Sequence, residues 1–319
     1  MRITNLMMAN NAIQNIADNQ EKIAKLRNQV STQKQFQTAS ENPVQASASL
    51  SLRSNLRTLE SYSDTAATTS NWMNTTDYAL DQLEEIGVQA SNLILRGLND
   101  SLSDSERYTA LATEMNGLIE KAVELGNSSV NGQFIFSGYQ LNQKPFTLGV
   151  DPLTTLLDYQ GNSFNPTTIT YSGDTGSMQR SLGPDQMVTM NMPGSPSIQN
   201  FIQDLITAST ALTQGNIHLP LEPGFTLPTL QESLTKVKSS ADAINANRTS
   251  NGARMRQVES ASNFLETVKI ETKSLLSQKE DTNLAEGIAL LTNQQTTFQA
   301  VLEVSQRAIS ALSLFDYMR

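Results

Sequence analysis

The chain has 319 residues, a net charge of −9, 38% hydrophobic and 6% aromatic residues, and no cysteine. The acidic balance, unrelieved by any local Lys/Arg cluster, argues against a nucleic-acid-binding surface, which needs grouped cations. The missing thiols exclude thiolate nucleophiles, thiolate zinc sites and disulfide frameworks. So few aromatics favour long helices burying thin seams over one large globular core.

Residues 3–35 read as an amphipathic helix. Leu6 and Ile13 lie one heptad apart, and Ile16, Ile23 and Val30 repeat the interval on the neighbouring stripe. A heptad gives a narrow apolar seam that is buried against another helix. Asn10, Asn11, Gln14 and Asn15 interrupt the apolar core that a secretory signal peptide needs. No stretch approaches the ~20 apolar residues of a membrane-spanning helix. The expectation is a soluble chain, not inserted in a membrane and exported without a cleaved signal.

Ser40-Glu41-Asn42-Pro43 interrupts the first helix, because proline disfavours helix in the residue before it. A second helical pattern runs from about Val44 to Leu98, with its seam through Leu52, Leu56, Leu59, Ala66, Met73, Leu80, Leu83 and Ile86. If unbroken, ~50 residues at 1.5 Å each make a rod of about 75 Å. The Thr-rich stretch from Thr65 to Thr76 has weak helix propensity, so packing must hold it. Gly97 ends this helix. Ser103 and Glu106 have capping-box spacing and open another, through Tyr108, Leu111, Met115, Leu118, Ala122 and Leu125.

The pattern changes near 130. Pro and Gly become frequent, and Thr168–Tyr171 and Met187–Met190 have strand character between turn-forming stretches. One helix is expected from Ile198 to Leu212, then a proline-rich loop over 215–228. Thr229 and Glu232 repeat the capping box. A return helix carries Leu230, Leu234, Val237, Ala241, Ile244, Met255, Val258, Leu265 and Leu276, with a polar, weaker middle from Asn245 to Gly252. After Asp281 and Asn283 a final heptad helix begins. Leu284, Leu291, Phe298 and Leu312 share one register in it, and Ile288, Leu302 and Ile309 the next.

These elements predict a mainly α protein: a long antiparallel helical bundle with coiled-coil terminal helices and a small β-rich inserted domain, α+β overall. Residues 1–42 and 283–319 form the terminal helices, 43–139 and 228–282 the helical rod, and 140–227 the β-rich part. The assembly seam is Leu6, Ile13, Ile16, Ile23, Val30, Leu284, Ile288, Leu291, Phe298, Leu302, Ile309 and Leu312. One chain does not easily satisfy seams this long, which points to homo-assembly.

No catalytic constellation accompanies them. The single histidine, His218, sits in the proline-rich loop without a nucleophile partner. Adjacent acids such as Glu84-Glu85 and Glu280-Asp281 read as solvated faces and caps, and no metal, cofactor or nucleotide motif is found. The expectation is a non-enzymatic protein without cofactor or metal.

Four stretches carry a resemblance to the flagellin superfamily. Thr38-Ala39-Ser40-Glu41-Asn42-Pro43-Val44-Gln45-Ala46-Ser47 resembles the family's break between outer and inner helices, with Glu41 and Asn42 where two aspartates are usual. Asn131 to Gln140 with Lys144-Pro145-Phe146 is similar to its exit from the inner helices. Arg248 and Gly252-Ala253-Arg254 look like its small-residue contact, where helices approach closely. Asp281 to Glu286, Gln294-Gln295 and Ser313 to Tyr317 match its C-terminal helix.

Val88-Gln89-Ala90 is present, but Gln82 and Glu84 occupy positions where filament flagellins carry arginines, and the chain ends Phe315-Asp316-Tyr317-Met318-Arg319. The resemblance therefore implies a subunit joining hook to filament in the bacterial flagellum, with the filament flagellin as the alternative and a secreted adhesin or hydrolase behind both. It implies type III export to an extracellular position and partners in a preceding hook-associated protein, flagellin and a cytoplasmic export chaperone. The terminal helices, marginal alone, are expected to fold on assembly.

Overall fold

In the computed structural model the described residues are 2–99, 103, 105–152, 154–214 and 229–317. Among side chains, those of 2–6, 8, 9 and 308–317 lie outside the description. Helix α1 spans Arg2–Thr32, α2 Pro43–Gly97, α3 Leu111–Gly126, α4 Ser197–Gln214, α5 Leu230–Glu280 and α6 Leu284–Tyr317. Two compact units emerge: residues 1–60 with 267–319, and residues 61–266. The proline-rich loop and His218 fall outside the described residues.

The first unit contains the antiparallel pair α1–α6. Its first helix ends where Gln33 takes a left-handed φ of 58°, a conformation that stops helix in a side-chain-bearing residue. The break thus begins ten residues before Pro43 rather than at Ser40. Pro43 instead opens α2 as its first residue, where a missing N–H costs nothing. Asn42 caps that start, its Oδ1 accepting from Gln45 N at 3.2 Å. Glu41 accepts from Thr38 Oγ1 at 2.9 Å and from Gln37 N at 3.3 Å. Glu41 and Asn42 therefore supply the local turn and cap themselves.

The second unit is built on one main core. Trp72, Leu80, Leu83, Ile86 and Ile94 of α2 meet Met115 and Ile119 of α3, Phe201, Ile202 and Leu205 of α4, and Val237 and Ile244 of α5. The Thr-rich stretch stays helical because Ala66, Trp72 and Met73 are buried. Thr65, Thr68, Thr69, Thr75 and Thr76 also return their hydroxyls to carbonyls four residues back. Both capping boxes form: Ser103 Oγ donates to Glu106 Oε2 at 2.8 Å, and Glu232 N donates to Thr229 Oγ1 at 3.1 Å. Between the first box and α3 lies a π-helical turn over 105–110.

Among the described residues the strands form four separate two-stranded antiparallel ladders. β1 (129–130) pairs β2 (133–134), β3 (146–150) pairs β6 (167–171), β4 (156–157) pairs β5 (163–164), and β7 (179–183) pairs β8 (186–189). The strand region starts ahead of residue 140. Asn131 and Gly132 both have positive φ, 52° and 78°, and close β1–β2 as an Asn-Gly hairpin turn. Ile135, Phe136 and Phe146 are buried in the same core as the helices. This part of the chain shares its interior with α2, α3, α4 and α5.

Candidate assembly surface

Along α1, Ala12, Ile16, Asn19, Ile23, Leu26 and Val30 are half-buried at an alternation of four and three that makes one seam, with Gln29 half-buried beside it. On α6 the same spacing runs through buried Gly287 and Ser305 and half-buried Leu291, Gln294, Phe298 and Val301. The helices come close at one end of this seam: a Cβ built on Gly287 stands 3.1 Å from Val30 Cγ2. A polar layer crosses its middle, where Gln294 Nε2 donates to Asn19 Oδ1 at 2.6 Å while Asn19 Nδ2 donates to Asn15 O at 2.6 Å. Both ends of the Asn19 amide are satisfied, so the layer specifies pairing without leaving an orphan group.

The twelve expected seam residues therefore separate into groups. Ile16, Ile23, Val30, Leu291 and Phe298 line the α1–α6 seam. Ile13 is 63% exposed, Leu284 39%, Ile288 52% and Leu302 41%. These four flank the seam instead of filling it, because a heptad face about two residues wide buries only its central positions in a two-helix contact. The side chains of Leu6, Ile309 and Leu312 lie outside the description. Among described side chains, no apolar residue of α1 or α6 is fully buried.

The connectors flanking this pair are cross-linked by a polar cluster that the sequence did not disclose. Lys34 and Asp281 form an antiparallel β-bridge. Gln35 N donates to Glu280 O at 2.7 Å, Thr282 N to Gln33 O at 2.9 Å, and Gln35 Nε2 to Asp281 O at 2.9 Å. Arg53 grips Glu280 with both arms, Nε to Oε1 at 2.7 Å and Nη2 to Oε2 at 2.6 Å. Lys34 Nζ adds Asp281 Oδ1 at 2.6 Å and Glu280 Oε2 at 3.2 Å. The Glu280 side chain is only 6% exposed, so the bidentate pairing compensates a buried charge.

Arg53, and then Lys34, hold the Glu280 carboxyl below its ordinary value. Lys34, joined by the Ser277 hydroxyl, does the same for Asp281. Lys34 is in turn held above its ordinary value, chiefly by Asp281. Glu280-Asp281 is thus a clamped pair rather than a solvated cap. Lys34 and Asp281 are separated by 247 positions, and local pattern carries no information about such a pairing.

The second unit has its own tie between α2 and α5. Arg248 Nη1 lies 2.7 Å from Asp81 and 3.2 Å from Glu84, with Nε 3.6 Å from Asp77. Asn251 Nδ2 donates to Met73 O at 3.0 Å. The polar middle of α5 is accordingly anchored, and the helix is continuous across it. The expected close approach at Gly252 is absent: the nearest side-chain atom to a Cβ there is Arg256 Nη1 at 4.0 Å. The close contact lies at Gly87, where a Cβ would stand 2.8 Å from Ala241 Cβ and 3.3 Å from the Phe201 ring.

Among the described residues, no group of three or more His, Cys, Asp or Glu could hold a metal ion, and no helix is long and apolar enough to cross a membrane.

These helices carry a known signature. Residues 3–141 match the family described as the bacterial flagellin N-terminal helical region, so this part of the chain is similar to flagellin-type proteins. The particular protein the chain resembles is flagellar hook-associated protein 3. It is 29% identical over 147 residues to that protein of Salmonella typhimurium and 28% identical over 148 residues to that of Escherichia coli. Each match spans 46% of this chain and 46% of the relative, about half the length of either. The crystal structure of Bacillus cereus FlgL, 20% identical, superposes with a TM-score of 0.56 over 71% of this chain and 99% of that one. The fold is therefore that of FlgL: a helical bundle with a small strand-bearing region.

Proposed function

We propose that this chain is a structural, non-catalytic subunit of the bacterial flagellum that joins hook to filament. It assembles through its terminal helices into a ring or tube and gives flagellin a platform on which to polymerise. The observation that carries the reading is the exposed apolar flank of the α1–α6 pair, formed by Ile13, Leu284, Ile288 and Leu302. Branched apolar side chains beside a half-filled seam gain most when other helices cover them. The likeness to hook-associated protein 3 supports the same reading.

Under this proposal the subunit is exported without signal cleavage and works outside the cell. A cytoplasmic chaperone covers α6 before export, since an amphipathic helix with an open flank fits a groove-type partner. The preceding hook-associated protein meets the assembly on one side and flagellin on the other. The terminal helices stay loosely formed in the free subunit and become ordered on assembly, because their pairing alone buries so little. Far-UV circular dichroism and limited proteolysis of the free chain test that last step, and rigid, protected ends in a proven monomer would refute it.

The test of the whole is gene deletion, with electron microscopy of the cells and an immunoblot for flagellin in the medium. Bare hooks with flagellin leaking into the medium are expected. Bare hooks without secreted flagellin would make the chain the filament subunit, and normal anchored filaments would reject an essential junction role.

A further inference from the structure

A set of strong polar contacts in the first unit lies outside the terminal helices. It lies at the root of the pair, where the two connectors meet. There, two backbone hydrogen bonds join the strands of the connectors, and a buried carboxylate is held by a bidentate guanidinium and an ammonium. The left-handed Gln33 turns its carbonyl to the Thr282 amide, a strained conformation retained only where surrounding contacts over-determine it. Beyond the root, α1 and α6 share a seam with no fully buried apolar side chain among those described and a polar layer at its middle.

Local opening follows such contrasts: segments with few buried apolar contacts open first, and those with satisfied, shielded hydrogen bonds last.

We propose that residues 33–35 and 280–282 form a clasp that stays closed while α1 and α6 unzip, so the terminal helices open and re-form as a pair rooted at one point. Arg53, in α2, and Glu280, at the end of α5, are its positioning residues, and both lie outside α1 and α6. With the clasp closed, the first contact to re-form is Val30 with Gly287, each a few residues from the bridge, and the short closure costs little chain entropy. The α1–α6 register is then recovered each time without a search. The inference does not depend on the flagellar reading, because it concerns the free chain alone.

Amide hydrogen exchange at single-residue resolution on the free, full-length chain tests it. The Gln35 and Thr282 amides are expected to exchange more slowly than the mid-helix amides of Ile23 and Phe298. Equal or faster exchange at Gln35 and Thr282 overturns the clasp, and this arm needs no variant. In a second arm, Glu280→Gln should strip protection from both amides together while the emission of Trp72, in the other unit, is unchanged. Undiminished protection of both amides in Glu280→Gln overturns the role given to the ion pair.

Discussion

A single methyl group at Gly87 tests the packing of α2 against α4 and α5. Gly to Ala in an exposed helix interior normally stabilises by about 1 kcal/mol. At Gly87 the new Cβ would meet Ala241 Cβ at 2.8 Å and the Phe201 ring at 3.3 Å. Neither neighbour is the end of a flexible chain, so the helices themselves must separate, and overpacking of this kind costs ~1–3 kcal/mol. Gly117, on the exposed face of α3, has nothing within 4 Å of such a Cβ. Because the propensity gain is common to both sites, Gly87→Ala should be less stable than Gly117→Ala by about 1–3 kcal/mol, the clash itself. Gly252→Ala should behave like Gly117→Ala, since its surroundings are open. Urea denaturation followed by far-UV circular dichroism measures all three. Gly87→Ala as stable as Gly117→Ala would refute the close approach, and a destabilised Gly252→Ala would restore the contact that the structure lacks.

Two further predictions address the units separately. Trp72 is the sole tryptophan and is buried in the core of the second unit, so its emission should be blue-shifted and unmoved by deletion of residues 1–32; a red shift on deletion would show that this core depends on α1. Glu280 and Asp281 have carboxyls held below their ordinary values of 4.5 and 3.8 by Arg53 and Lys34. A depressed carboxyl contributes stability that is complete above the ordinary value and is lost as pH falls through the folded value. Protease resistance of the first unit should therefore be constant from neutrality down to about pH 4.5, then fall. Glu280→Gln should be less resistant at neutrality and show a smaller fall, and identical acid profiles for the two proteins would contradict the clamped pair.

Local pattern made the helices legible. The heptads of α1 and α6, the seam of α2 and both capping boxes follow from side-chain spacing, and spacing survives folding. Strand character at Thr168–Tyr171 and Met187–Met190 was visible for the same reason, and the second strand runs over Gln186–Thr189. The Asn131-Gly132 hairpin was readable in principle, because that dipeptide suits a turn with two positive φ angles. What sequence could not give was partnership at a distance. A heptad marks a broad apolar face, and only the partner helix decides that Ile16 and Phe298 lie inside while Ile288 and Leu302 lie on the flank. Glu280 resembles a helix-end cap until Arg53 is brought to it from 227 positions away. Likewise Gly252 and Gly87 are equally small, and which one meets another helix depends on the crossing point.

The central claim is that the apolar flanks of the α1–α6 pair are covered by other copies in the assembled structure. Because the chain has no cysteine, Ile288→Cys or Leu302→Cys supplies a unique thiol on that flank. The most direct measurement is the rate of maleimide labelling of each variant as the free chain and within flagella isolated from complemented deletion cells. Rapid labelling of the free chain and protection in flagella is the predicted result. Equal rates in both states, in cells that build normal filaments, would contradict the account.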